Sequence, residues 1–175
     1  MLKTNINSKS RQGFTIIEVV LVLAIAGLIF LMVFIALPAL QASQRDTQRR
    51  QDMARFASQI AQYQANNNGN PPKKVAEVNN LISKYLKSGG QTFADPNGTD
   101  YSLGTNSSGE AIVTTCSSDS CALPDGAKKE TTATGKIWYF VNATCNGEVP
   151  KYESGSRKVA FIYKLEGSGT YCGHN

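Results

Sequence analysis

Histidine is nearly missing from this chain of 175 residues; the single one is His174. With it go the commonest general base at neutral pH and the commonest nitrogen ligand of metal ions. No nucleophile–base motif and no phosphate-binding glycine loop takes its place, and the four cysteines lack the paired C-x2-C spacing of structural zinc sites. These absences predict a chain that is not an enzyme and that carries no cofactor and no metal. Charge is the second thing lacking. Val19 to Leu40 is a run of 22 residues without a charged side chain. A bilayer span needs about 20 such residues.

What stands at the head of that run is a glutamate. Gly13-Phe14-Thr15-Ile16-Ile17-Glu18 places one carboxylate four residues after a phenylalanine, in a segment otherwise apolar enough to cross a membrane. A charge at the centre of a membrane helix costs about 2.5–3.5 kcal/mol on insertion scales and less near the interface. Glu18 is therefore a candidate functional residue.

Three readings of the amino terminus compete. A secretory signal has a positive n-region, but its apolar stretch is usually about 7–15 residues and a small-x-small cleavage site follows it. Neither condition is met here, and no cysteine lies nearby to take a lipid. An ordinary membrane anchor fits in length and leaves Glu18 unexplained. The third reading joins a short basic leader ending in Gly13, a new amino terminus at Phe14, and Glu18. Together with Ala24-Ile25-Ala26-Gly27 and Pro38-Ala39, this resembles the type IV prepilin, or class III, signal. The resemblance covers roughly the first 66 residues.

The resemblance implies a leader at 1–13, cleavage between Gly13 and Phe14 by prepilin peptidase, and N-methylation of Phe14. It implies an inner-membrane protein, single-pass before assembly, that an assembly ATPase and a platform protein build into an extracellular homopolymeric pilus. Adhesion, twitching motility or DNA uptake would be the filament's task, with DNA or a host-cell surface as possible partners. A minor pilin or a type II secretion pseudopilin is the alternative within the family. A membrane-anchored binding module that never polymerises is the alternative outside it. In the filament that the resemblance implies, Glu18 would face the amino group of Phe14 on a neighbouring subunit; the plainer alternative is a glutamate that snorkels to the headgroups.

The net charge of +5 gives little support for a nucleic-acid partner, because Lys3, Lys9 and Arg11 supply three of those charges within the leader. Nor do the positive residues at the two ends of the span set its orientation, since Arg45, Arg49, Arg50 and Arg55 follow it. The cysteines and the family resemblance place residues after about 42 outside.

Past Leu40 the helix continues. Met53, Phe56, Ile60 and Tyr63 recur at helical spacing, and no breaker precedes Asn66-Asn67-Asn68-Gly69. One long helix is expected, with a membrane or filament-core half at 14–40 and an amphipathic half at 41–66. Gly27 and Pro38 are its expected kink points, with bending or melting around Ile35–Leu40. The run Arg45 to Asp52 reads as a mixed-charge face, either solvated with internal pairs such as Asp46 with Arg49 and Arg50, or bridging subunits or touching anionic lipid or DNA.

A globular α+β head is expected over 67–175, a small antiparallel sheet packed on the amphipathic half of the helix, as in the pilin fold. Val75, Val78, Ile82, Tyr85 and Leu86 mark a second helix ended by Ser88-Gly89-Gly90. Asp95 to Asp100 reads as a turn; its oxygens could take calcium, but the spacing is not that of an EF-hand. Strands are expected at Ala111–Thr115, Ile137–Asn142 and Val159–Leu165, with Trp138 in the core or at a subunit contact. Cys116, Cys121, Cys145 and Cys172 are expected to form two disulfides, and four cysteines allow three pairings. The favoured one closes Cys116 with Cys121 and Cys145 with Cys172, the second bond being similar to the C-terminal disulfide loop of many pilins. The Asn-x-Ser/Thr triplets at Asn97, Asn106 and Asn142 read as chance matches in a bacterial protein.

Overall fold

The computed structural model describes residues 13–117, 121, 135–155, 157–167 and 169–175. The leader up to residue 12 lies outside them. Two compact units divide the chain, Met1–Leu40 and Gln41–Asn175.

In the first unit the chain enters helix α1 (Ile16–Asn66). Thr15 starts it: its hydroxyl accepts the Glu18 N–H at 3.4 Å and its carbonyl accepts the Val19 N–H. That is the N-cap role of a threonine, with Glu18 at the third helical position, where a carboxylate also meets the positive end of the helix dipole. Gly27 and Pro38 both lie inside an unbroken helix, so α1 is not melted across Ile35–Leu40. Proline's missing N–H removes one rung of the ladder without ending it. The side chains of this segment are exposed on all sides, and its most apolar stretch has a mean hydropathy of 3.2. By length and composition it can cross a membrane.

In the second unit, Met53, Phe56 and Ile60 of α1 are fully buried against a sheet. Helix α2 (Val75–Leu81) follows a turn and runs on as a π-helical turn, Ile82–Leu86, in which the Lys87 N–H reaches the Ile82 carbonyl. A short 3-10 turn, Ser88–Gly90, stops it where a breaker was expected.

The strands are β1 (Ser102–Leu103), β2 (Val113–Thr115), β3 (Lys136–Val141), β4 (Ala143–Asn146), β5 (Val149–Tyr152), β6 (Val159–Lys164) and β7 (Thr170–His174). β3, β6 and β7 are antiparallel neighbours, with Tyr139 opposite Phe161 and Ile162 opposite Cys172. β1 and β2 pair one after the other with β3, and both run parallel to it, so the sheet is mixed rather than wholly antiparallel. β4 and β5 form a separate hairpin. The strands at Val113, Ile137 and Val159 were legible; β1, the hairpin and β7 were not, being short or interrupted by proline or glycine.

Alternation along β3 and β6 explains why both read as continuous apolar runs. Ile137, Tyr139, Phe161 and Tyr163 face α1, whereas Trp138, Phe140, Ala160 and Ile162 face the hairpin. A strand buried on both faces has no polar side. Trp138 is 3 % exposed, a core residue of the second layer. It lies flat against Gly104, where a Cβ would sit 2.3 Å from the indole; Gly173 makes the same allowance for the Phe161 ring. Both disulfides lie in this layer, Cys116–Cys121 and Cys145–Cys172. The second ties β7 to the hairpin. Residues 118–120 of the small loop lie outside the described residues.

Candidate functional site

The amino-terminal site is built from the start of α1. Gly13 and Phe14 precede the helix in an exposed, irregular segment, which leaves the bond between them open to approach. Gly13 and Gly27 have nothing within 4 Å of a would-be Cβ. Packing within this chain does not require glycine at either place. Glu18 is the only charged residue from Phe14 to Leu40. Its backbone N–H is taken by Thr15; its carboxylate has no hydrogen bond or ion pair among the described residues. The Thr15-x-x-Glu18 pattern is half of a capping box, which accounts for the helix start and leaves the charge itself unmatched.

Residues 8–34 match the family model described as the prokaryotic N-terminal methylation motif. That match, confined to the amino-terminal segment, supports a type IV pilin-like prepilin. The motif implies processing by prepilin peptidase and polymerisation with pilins, and its family is a class of structural subunits. No curated protein and no solved structure matches the chain. The α+β architecture of the chain, a long amino-terminal helix with its later half on a small, mainly antiparallel sheet, is consistent with the pilin fold.

A second cluster of charge lies where α1 meets the head. Arg49 is fully buried. Its guanidinium grips Asp95 bidentately, Nε to Oδ2 at 2.8 Å and Nη2 to Oδ1 at 3.0 Å, and its Nη1 donates to Asp46 at 2.8 Å and Glu166 at 2.9 Å. Arg45 forks onto the same Glu166 at 2.6 and 2.8 Å. Asp95 also accepts from the Tyr163 hydroxyl and, at 2.9 Å, from the Asn97 N–H; the Gly135 N–H donates to that same Tyr163 oxygen at 2.8 Å. Asp46 accepts the backbone N–H groups of Glu166 and Gly167 at 2.9 and 2.8 Å. One arginine thus joins α1, the turn at Asp95 and the end of β6, and Tyr163 links that turn to the approach to β3.

The energetics explain why such a group is tolerated. A buried charge is supportable only when paired and hydrogen-bonded. Burial pushes the Asp95 carboxyl up, but Arg49, Tyr163 and the Asn97 N–H outweigh it and hold it below its usual range. Burial acts the same way on Asp46 and is overcome by two backbone N–H groups and Arg49. The forked bond from Arg45, then Arg49, draws Glu166 down to about 2. The bidentate grip of Asp95 raises Arg49 still further above its ordinary value. Asp52 is the exception: burial raises it, and the Tyr101 hydroxyl, donating at 3.1 Å, only partly offsets this.

Of the mixed-charge face, Arg49 alone is fully buried; Arg45, Asp46 and Asp52 are half-buried against the head and Arg50 is exposed. Asp46 does pair with Arg49, as its i,i+3 spacing suggested, but Arg50 lies over the Tyr171 ring at 5.9 Å. A signal was available: Arg49 falls on the same helical stripe as Met53, Phe56 and Ile60, which core-facing residues share. The Asp95–Asp100 turn uses its carboxylates on cations of the chain, Asp95 on Arg49 and Asp100 on Lys87 at 2.6 Å. No group of three or more histidine, cysteine or acidic side chains is placed to hold a metal ion among the described residues.

Proposed function

We propose that the chain is a structural subunit of a type IV pilus, cut between Gly13 and Phe14, N-methylated at Phe14 and polymerised into an extracellular filament. Before assembly it is held in the inner membrane by residues 14–40, with residues 41–66 anchoring the head at 67–175. The observation that carries this reading is the methylation motif at residues 8–34 with a charge, Glu18, whose carboxylate has no partner among the described residues.

Cleavage would supply what Glu18 lacks. It creates a positive amino group on Phe14, one helical turn away. In a filament core made of such helices, Glu18 of one subunit meets the Phe14 amino group of the next. Neither charge is tolerable alone in that medium, and together they partly cancel. The pair sets register, because a mis-set subunit leaves both unmatched. Kinks at Gly27 and Pro38 would adapt the helix to its neighbours.

Mass spectrometry of the exported protein's amino terminus tests the reading. N-methyl-Phe14 is the expected result. An intact Met1 in exported protein would sink it in favour of a membrane-anchored module that never polymerises.

A further inference from the structure

Asparagine followed by glycine occurs three times, at Asn68-Gly69, Asn97-Gly98 and Asn146-Gly147. Glycine lacks the Cβ that would shield its backbone nitrogen, so that nitrogen can reach the side-chain carbonyl of the residue before it. At two of the three steps the nitrogen is occupied. The Gly69 N–H donates to the Gln64 carbonyl at 2.7 Å, closing the end of α1. The Gly98 N–H donates to the Asp95 carbonyl at 2.8 Å, inside the turn that Arg49 grips.

The third step is open. Asn146 ends β4, and Gly147 begins the two-residue turn to β5 at a φ of 64°. In such a turn the pair at its base, Asn146 and Val149, carries the ladder, and the positive φ selects glycine at the first turn position. The Gly147 N–H has no acceptor and the Asn146 amide no partner among the described residues, and both residues are exposed. The tip is nevertheless held on both sides of this step. Cys145 is bonded to Cys172, and the Glu148 carboxylate accepts the Thr170 N–H at 3.1 Å. Opposite Asn146 stands Val149, the one exposed large apolar side chain beyond Leu40 among the described residues.

We propose that Asn146 is a site of self-modification that converts to aspartate and isoaspartate without an enzyme, with water as the only co-reactant. The Gly147 nitrogen gives its proton to solvent hydroxide and attacks the Asn146 Cγ. A C–N bond forms, the side-chain amide nitrogen takes up a proton and leaves as ammonia, and a five-membered succinimide remains. Water then opens that ring at either carbonyl. Opening at Cγ restores the peptide as aspartate; opening at the backbone carbonyl leaves isoaspartate, with one more methylene in the main chain. Nothing is oxidised or reduced. The flanking disulfide and the Glu148 contact keep the tip in place through the change. The tip gains a second carboxylate beside Glu148 and opposite Val149. A charge there resists burial, so an aged tip enters an apolar contact less readily than a new one.

Isotope uptake tests it. The full chain, disulfides intact and dispersed in detergent, is held at neutral pH in heavy-oxygen water and mapped by tandem mass spectrometry. Asn146 is expected to take up heavy oxygen about tenfold faster than Asn68 and Asn97, where the attacking N–H must first leave a hydrogen bond. Equal rates at the three sites, or an unchanged Asn146, overturn the proposal. In denaturant the three rates are expected to converge, because the bonds at Gly69 and Gly98 are gone; a lead of the same size there shows that the hairpin is not the cause and overturns it too. A variant gives a second measure. Asn146→Gln keeps an amide but lacks the ring-closing length, and it is expected to lose the acidic species that isoelectric focusing resolves in aged wild-type protein. Persistence of that species overturns the assignment to Asn146. None of these readouts depends on polymerisation, so their failure leaves the pilus reading standing.

Discussion

The two halves of α1 treat charge in opposite ways. From Phe14 to Leu40 there is one charged side chain, and nothing among the described residues meets its carboxylate. From Gln41 to Asn66 there are six, and each has a partner on the head. Paired charge within a chain is a folding device: it is satisfied once, when the head closes on its helix. An unmatched charge in an apolar segment calls for a partner beyond the described residues. The contrast separates what holds a subunit together from what would join subunits.

The sharpest way to break that contrast is at Glu18. Glu18→Ala should abolish surface filaments while the chain still reaches the membrane. Glu18→Gln keeps the side-chain shape at the third helical position but not the charge, and it should fail as well. Filaments sheared from cells and quantified against membrane-bound subunit decide it. Wild-type filament levels from either variant would reduce Glu18 to a helix-start residue.

On the other half the expected loss is of stability. Arg49→Ala leaves Asp95 buried and unpaired and should cost about 3–5 kcal/mol. Asp95→Asn added to it should recover part of that loss, since the stranded charge is then gone. Trp138, the only tryptophan and a buried one, reports the denaturation by its fluorescence. An Arg49→Ala head as stable as the wild type would mean that the network contributes nothing net.

Close behind come the disulfides, which staple the second layer of the head. The Cys145–Cys172 bond closes a sequence separation of 27 and the Cys116–Cys121 bond one of 5. Chain entropy assigns about 3.5 kcal/mol to the first and about 2 kcal/mol to the second. Cys145→Ser with Cys172→Ser should therefore destabilise more than Cys116→Ser with Cys121→Ser. The reverse order in denaturant midpoints would show that native-state packing, not loop length, dominates.

Acid gives the mildest effect. Asp46 and Asp95 are held below their usual range and Glu166 at about 2. Depressed carboxyl groups stabilise the fold above the unfolded-state pKa of about 4, and that contribution is lost as pH falls through the folded values. Asp52, pushed up by burial, works in the opposite sense and gains from protonation. Stability should stay level from pH 7 to about 5 and fall between about 4 and 2. A fall centred well above pH 5 would contradict the tight pairing of these groups.

Much of the architecture could be read from residues near one another in the chain. Gly13, Phe14 and Glu18 mark the methylation motif that residues 8–34 match, because their spacing is short and an apolar run makes a lone carboxylate conspicuous. The uninterrupted helical stripe through Met53, Phe56 and Ile60 announces the later half of α1. Dense β-branched and aromatic runs mark β3 and β6, since strands buried on both faces cannot be polar on either. β7 and the β4–β5 hairpin escaped notice because Gly173 and Pro150 dilute strands that are held by their neighbours and by Cys145–Cys172, not by local preference.

The charge pairing is the part that only the tertiary structure decided. Arg49 and Asp95 lie 46 residues apart, and Arg45 and Glu166 lie 121 apart. A helical wheel shows that Arg49 points with the core, but not that a carboxylate will be waiting there. Sequence alone determined that this chain has the amino-terminal methylation motif, a membrane-length helix with one costly charge, and an α+β head with an even number of cysteines. These follow from local periodicity and short spacing. Which way the charged face of α1 turns was settled by the head, because a buried guanidinium is stable only where distant segments bring acceptors to it.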